Sequence, residues 1–109
     1  VLDWSQSAAD LDLAIRAFNP FPVCYSSLDG ERIRIWEAKP AGSAQLPEPP
    51  GTILRAGREG VLVNCGQGQL SLQRVQLPGA RALTVEEVLN AHREQFAPGR
   101  RFLAAATQG

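Results

Sequence analysis

The sequence predicts a mainly β fold: a small barrel, closed or partly open, with one helix near each end of the chain. Three observations carry this expectation. Short apolar runs alternate with polar residues at the period of a strand, turn signals separate them at intervals of about eight to twelve residues, and two flanking stretches switch to helical spacing. Closing the sheet would also remove the open edges that strands this short would otherwise expose.

The first helix is expected over 7–18. Ala8, Leu11, Ile15 and Phe18 recur at helical spacing, Ser7 with Asp10 resembles a capping box, and Asp12 to Arg16 is an i,i+4 pair in the favourable order. Such a helix is too short to stand alone, so its apolar stripe must dock on the barrel. Asn19-Pro20-Phe21-Pro22 stops it, because proline drives the preceding residue out of the α region.

Strands follow. Residues 23–28 are β-rich, Asp29-Gly30 is a hairpin turn, and over 31–39 Ile33 and Ile35 alternate with Arg32 and Arg34. Residues 40–51 hold four prolines and two glycines without periodicity and read as a surface loop. A short strand over 52–56 leads through Gly57-Arg58-Glu59-Gly60 to a run in which Val61, Val63 and Cys65 alternate. Gly66-Gln67-Gly68 turns again, and Leu70 and Leu72 mark a fifth strand. After Pro78-Gly79, Thr84 and Glu87 make a capping box, with Leu83 and Val88 placed as its hydrophobic staple. The second helix is expected over 85–95, with Val85, Val88, Leu89, His92 and Phe96 on its packed face, ending before Pro98-Gly99.

A length of 109 residues allows one domain with one modest core. Hydrophobic residues at 44% and charged residues at 20% are ordinary for a globular chain. Apolar runs fall far short of the roughly 20 residues that span a bilayer, and no signal segment opens the chain, so neither membrane insertion nor export is expected. The chain starts at Val1 and contains no methionine, as expected of a domain excised from a longer protein. Cys24 and Cys65 lie inside apolar runs and read as reduced buried thiols, although sequence leaves a disulfide open. Two cysteines and one distant histidine do not make a zinc site.

Formal charge is zero, but it is unevenly spread. Residues 1–68 hold six basic against eight acidic side chains, net minus 2; residues 69–109 hold five, all arginine, against three, net plus 2. His92 is the only histidine, and no serine, cysteine or carboxylate stands at a spacing that makes a triad with it. Gly66-Gln67-Gly68 joins strand to strand, whereas a phosphate-cradling loop needs a helix N-terminus behind it. No catalytic residue is therefore assigned. The arginines remain: Arg58 at a turn tip, Arg81 in the loop after Pro78-Gly79, Arg93 near the end of the second helix, and Arg100 and Arg101 just past it. Brought together, these five would form a shallow patch that grips a nucleic-acid backbone without reading bases, whereas acidic neighbours leave Arg32 and Arg34 as solvated surface.

The order of short landmarks is more specific than any one of them. Asp3-Trp4, Ile15-Arg16-Ala17-Phe18-Asn19-Pro20-Phe21-Pro22, Trp36 with Ala38, Pro50-Gly51-Thr52-Ile53-Leu54, Gly60, Cys65-Gly66-Gln67-Gly68, Leu72-Gln73, Leu77-Pro78-Gly79 and Phe96-Ala97-Pro98-Gly99 cover nearly the whole chain. In this order it resembles the C-terminal domain of the methionyl-tRNA formyltransferases. The resemblance implies an open OB-fold-like β-barrel of five or six short strands with an N-terminal helix and a C-terminal helix. It implies a single domain over 1–109 of a monomeric, cytoplasmic bacterial enzyme of translation initiation. The Rossmann-like N-terminal domain of that family, which binds 10-formyltetrahydrofolate and holds the catalytic Asn, His and Asp, is not in this chain.

What the resemblance implies for the chain itself is tRNA holding, with initiator tRNA and the N-terminal catalytic domain as partners and no catalytic, cofactor or metal residue of its own. Family positions that are commonly basic fall on Arg58, Arg81 and Arg93. The chain departs from the family where a Gly-Lys-Lys-like loop is Gly79-Ala80-Arg81 and where paired arginines are His92-Arg93. Two rival readings differ in class: a structural C-terminal domain of an amino-sugar formyltransferase with no RNA contact, which the neutral net charge favours, and a protein-interaction module, which would expose a large apolar patch.

Overall fold

The computed structural model describes residues 2–18 and 23–103, excepting the side chain of Phe18; the Asn19-Pro20-Phe21-Pro22 junction lies outside the described residues. Its elements are α1 (Ala8–Phe18), β1 (Cys24–Leu28), β2 (Glu31–Gly42), β3 (Ile53–Gly57), β4 (Gly60–Asn64), β5 (Gln69–Gln76), β6 (Leu83–Thr84) and α2 (Val85–His92). They build one antiparallel sheet in the order β1-β2-β5-β4-β3, with β6 added against β5. The fold is mainly β, as expected, and the sheet curls into an open barrel.

Local chemistry accounts for most of these boundaries. Asp29 and Gly30 both take positive φ, 53° and 80°, the geometry of the two-residue turn that matches strand twist. Ile33 and Ile35 point inward while Arg32 and Arg34 stay exposed, and Val61, Val63, Leu70, Leu72 and Val75 complete the inner face. Each large aliphatic side chain so buried contributes about 1.5–3 kcal/mol. Strand β2 runs three residues beyond the expected end: Pro40 sits opposite Leu70 and Gly42 opposite Gln69 across a register shift, so the surface loop begins only at Ser43. A bulge there lets the ladder accommodate a residue that cannot donate.

The two outer strands of the path, β1 and β3, are not partners of each other. The C-terminal segment lies between them. Gly99 N–H donates to Ile53 O (2.8 Å), Ile53 N–H to Arg100 O (2.7 Å) and Phe102 N–H to Gly51 O (2.8 Å) on one side. On the other, Ser27 and Leu103 exchange hydrogen bonds of 3.2 and 2.8 Å. Phe102 thereby enters the core beside Trp4 and Phe96, at ring separations of 5.3 and 6.3 Å.

Helix α1 docks on β2 and β5 through Ala8, Leu11 and Ile15. Ser7 Oγ accepts from Asp10 N–H at 3.1 Å, and the Asp12–Arg16 pair closes at 3.2 Å. Gln67, in the β4–β5 turn, accepts from Ala8 N–H at 2.8 Å, so the glycine-flanked turn anchors the start of α1. The Thr84–Glu87 capping box is present in full. Helix α2, however, ends at His92 rather than 95, and its buried residues are Val85, Val88 and Leu89 only. His92 is exposed, not packed, and Phe96 reaches the core from the turns that follow, because the chain bends there instead of continuing the helix. Strand β4 likewise stops at Asn64, one residue before the buried Cys65.

Candidate nucleic-acid interface

Strand direction decides which loops share an end of the barrel. In the order β1-β2-β5-β4-β3 every neighbour is antiparallel, so β1, β5 and β3 run one way and β2 and β4 the other. The Asp29-Gly30 turn, the Arg58-Glu59 turn and the loop carrying Arg81 therefore emerge together. The Cys65–Gly68 turn and the long β2–β3 connection emerge at the opposite end.

The five expected arginines fall into three situations. Arg58 and Arg81 are exposed at the shared hairpin end, and neither has an ion pair or hydrogen bond among the described residues. Arg93 is the C-cap of α2, exposed, in the place where a cation complements the helix dipole. Two residues on, Gln95 Nε2 donates to Glu31 Oε1 at 2.8 Å and holds this stretch to the start of β2. Arg100 reaches the same end but is committed there: its Nη1 lies 3.1 and 3.0 Å from the two carboxylate oxygens of Asp29. Arg101 is turned the other way. It pairs with Thr52 as an antiparallel bridge, and its Nε donates to Pro50 O at 2.9 Å, within the β2–β3 connection.

Charges around Arg81 are arranged by the α2 cap. The Glu87 carboxyl is held below its usual value by hydrogen bonds from the Thr84 backbone N–H and hydroxyl, with Arg81 and Arg74 adding a weaker pull. A cationic side chain next to an ionised carboxylate is partly neutralised at short range.

A basic residue outside the expected set belongs to this end. Arg55, on β3, is exposed and unpaired among the described residues, and with Arg58 it lines a shallow cleft of about 240 Å3. Strict alternation from the buried Ile53 would turn Arg55 inward. A register shift between Ile53 and Arg55 sends it outward and lets Ala56 pack on the core instead. No signal in the local pattern marks that bulge.

The cysteines are both free: Cys65 is buried and Cys24 half-buried. Burial pushes the Cys65 thiol up to about 12, so it is un-ionised at neutral pH and inert as a nucleophile. Among the described residues no three His, Cys, Asp or Glu side chains gather as metal ligands, and no helix is long and apolar enough to cross a membrane.

The chain resembles known proteins in sequence and in fold. The family described as formyl transferase, C-terminal domain, matches residues 1–93. A methionyl-tRNA formyltransferase of Pseudomonas putida (strain W619) is 46% identical over 99 residues, covering 91% of this chain and 31% of that protein. The enzyme of the same name from Stutzerimonas stutzeri (strain A1501) is 48% identical over 101 residues, covering 90% of this chain and 30% of its own length. Among solved structures, HypX from Aquifex aeolicus in complex with tetrahydrofolic acid has a TM-score of 0.64 at 22% identity, over 81% of this chain and 16% of that one, a likeness of fold. The chain spans about three-tenths of the length of these curated relatives.

Proposed function

The chain belongs to the formyl transferase C-terminal domain family, and from that membership we propose that it is the tRNA-holding domain of a methionyl-tRNA formyltransferase. In this reading it is one domain of a longer, monomeric, cytoplasmic bacterial enzyme of translation initiation. The absent N-terminal domain binds 10-formyltetrahydrofolate and transfers its formyl group to the methionyl amine. The barrel contributes no reacting group. It grips the backbone of the initiator tRNA through Arg58, Arg81 and Arg93, with Arg100 at the margin, while Arg101, bonded to Pro50 O, faces away from them.

The observation that carries this reading is the common direction of Arg58 and Arg81: two exposed guanidinium groups, far apart in sequence, on loops that leave the sheet at one end of the barrel, neither in an ion pair or hydrogen bond among the described residues, although Glu87 lies close enough to Arg81 to feel its charge. Guanidinium forks suit phosphate oxygens, and contacts of this kind position a nucleic acid without reading its bases. A weak grip suffices. A tethered domain raises the effective concentration and fixes the orientation of an acceptor stem beside an active site, so chemistry elsewhere benefits from modest local affinity.

Fluorescence anisotropy of labelled initiator tRNA, titrated with the 109-residue chain at several salt concentrations, tests the proposal. Binding that weakens steeply with salt is expected, each phosphate contact adding a slope of about −0.9 on duplex. Absence of binding at low salt would overturn it and leave a scaffold domain, as in the amino-sugar formyltransferase reading.

A further inference from the structure

We infer that the cleft between Arg55 and the β3–β4 turn is a phosphate subsite on the outer face of the sheet, taking one backbone phosphate of the bound RNA. This inference rests on the tRNA-holding reading for its occupant, though not for its phosphate chemistry. The cleft is lined by Arg55, Arg58, Glu59, Leu62 and Ser71 together with the small residues of the turn. Two features make it more than a pair of surface arginines.

First, its floor offers a donor. Ser71 is buried, and its Oγ accepts from Gln73 Nε2 at 2.8 Å, which leaves its own hydrogen free to point at a ligand oxygen. Gln73 Nε2 also donates to Glu59 O at 3.0 Å, tying the turn down over that floor. Second, the turn lies close over that floor. Gly60 has φ +141°, and a Cβ there would collide with Ser71 Oγ and Gln73 Nε2, so only glycine lets the turn approach the hydroxyl this closely, while Gly57 faces open space. The result is a concave site with two unpaired guanidinium groups on its rim and a hydroxyl beneath them. Glu59 is the opposing charge, and it forms no ion pair with either arginine.

The row extends across the sheet. Arg55 stands opposite Leu62, Leu62 opposite Ser71, and Ser71 opposite Lys39 of β2. Neighbouring strands are about 4.8 Å apart, so Lys39 stands roughly 14 Å from Arg55, within reach of an adjoining phosphate of the same strand.

Two measurements decide the matter. In the first, the 15N-labelled chain is titrated with pyrophosphate and followed by amide shifts. Saturable shifts confined to residues 57–60, 62 and 71 are expected, lost in Arg55→Ala, retained in Arg81→Ala, and reached at lower concentration in Glu59→Gln. Shifts that ignore Arg55→Ala, or none at all, would overturn the subsite. In the second, labelled initiator tRNA is titrated against Arg55→Ala: a three- to tenfold loss of affinity and a salt slope smaller by about one are expected, with Arg55→Lys recovering most of the slope. If wild type binds tRNA and Arg55→Ala matches it, the subsite fails as an RNA contact while the tRNA-holding reading stands. If pyrophosphate seats but tRNA does not bind, that reading fails and the phosphate subsite stands.

Discussion

Trp4 Nε1 donates a 2.8 Å hydrogen bond to Ser26 Oγ, and Ser26 Oγ donates in turn to Leu103 O at 2.6 Å. Residues separated by almost the whole chain are joined through one hydroxyl on β1, inside the core, where Trp4 also packs against Phe102. The next residue, Ser27, is equally buried, yet its Oγ has no partner among the described residues.

That contrast predicts opposite outcomes for neighbouring substitutions. Ser26→Ala leaves the Trp4 N–H unpaired in the core and should cost about 1–3 kcal/mol; Ser27→Ala removes an unpaired hydroxyl and should be neutral or stabilising. Urea unfolding of both variants checks this. Equal losses in the two would mean that the hydroxyl relay contributes nothing specific.

Replacing Arg58, Arg81 and Arg93 together by alanine should lower the slope of log affinity against log salt by roughly two to three, because three phosphate contacts are lost. Stability should change by no more than about 0.5 kcal/mol per site, since all three are exposed. Anisotropy and thermal unfolding on the same samples separate the two effects. An unchanged slope would remove these arginines from the interface.

Arg100 should behave differently from Arg58, because Asp29 already occupies its guanidinium. Arg100→Ala should weaken tRNA binding less than Arg58→Ala and cost at most about 1 kcal/mol of stability, the pair being solvent-exposed. Asp29→Asn should strengthen tRNA binding by releasing Arg100. Arg100→Ala as damaging as Arg58→Ala would show that RNA pulls Arg100 away from its carboxylate.

Glu87 ties the stability of α2 to pH. Its carboxyl is lowered from 4.5 by Thr84 first, so the ionised form is the one favoured by folding. The contribution is complete above the unfolded value of 4.5 and is lost as pH falls through the folded value. Glu87→Gln should therefore be less stable than wild type at neutral pH, with the difference closing as the solution is acidified below 4.5 and through the lowered folded value. Thermal unfolding from pH 3 to 7 follows it; a gap that stays constant would remove the charge from the cap's stabilisation.

The residues legible from sequence are those whose structural cause is local. Asp29-Gly30 can hardly do other than turn a hairpin, Thr84 and Glu87 sit three apart and cap each other, and Ile33 and Ile35 alternate with arginines, so one face of β2 must be buried. The landmark order carried the family, and with it the expectation of an open barrel flanked by two helices. What tertiary structure alone decided begins where a local rule is interrupted. A register shift after Ile53 turns Arg55 outward, a bend after His92 leaves that residue in solvent and sends Phe96 inward, and a segment at 99–103 fills the gap between β1 and β3. The fate of Arg100 is the plainest case. Its charge can be read from the sequence, but its partner Asp29 lies 71 residues away, and only the path of the chain determines whether a cation meets a carboxylate or is left free for phosphate. Side-chain chemistry is a property of the residue; which other charges surround it is a property of the fold.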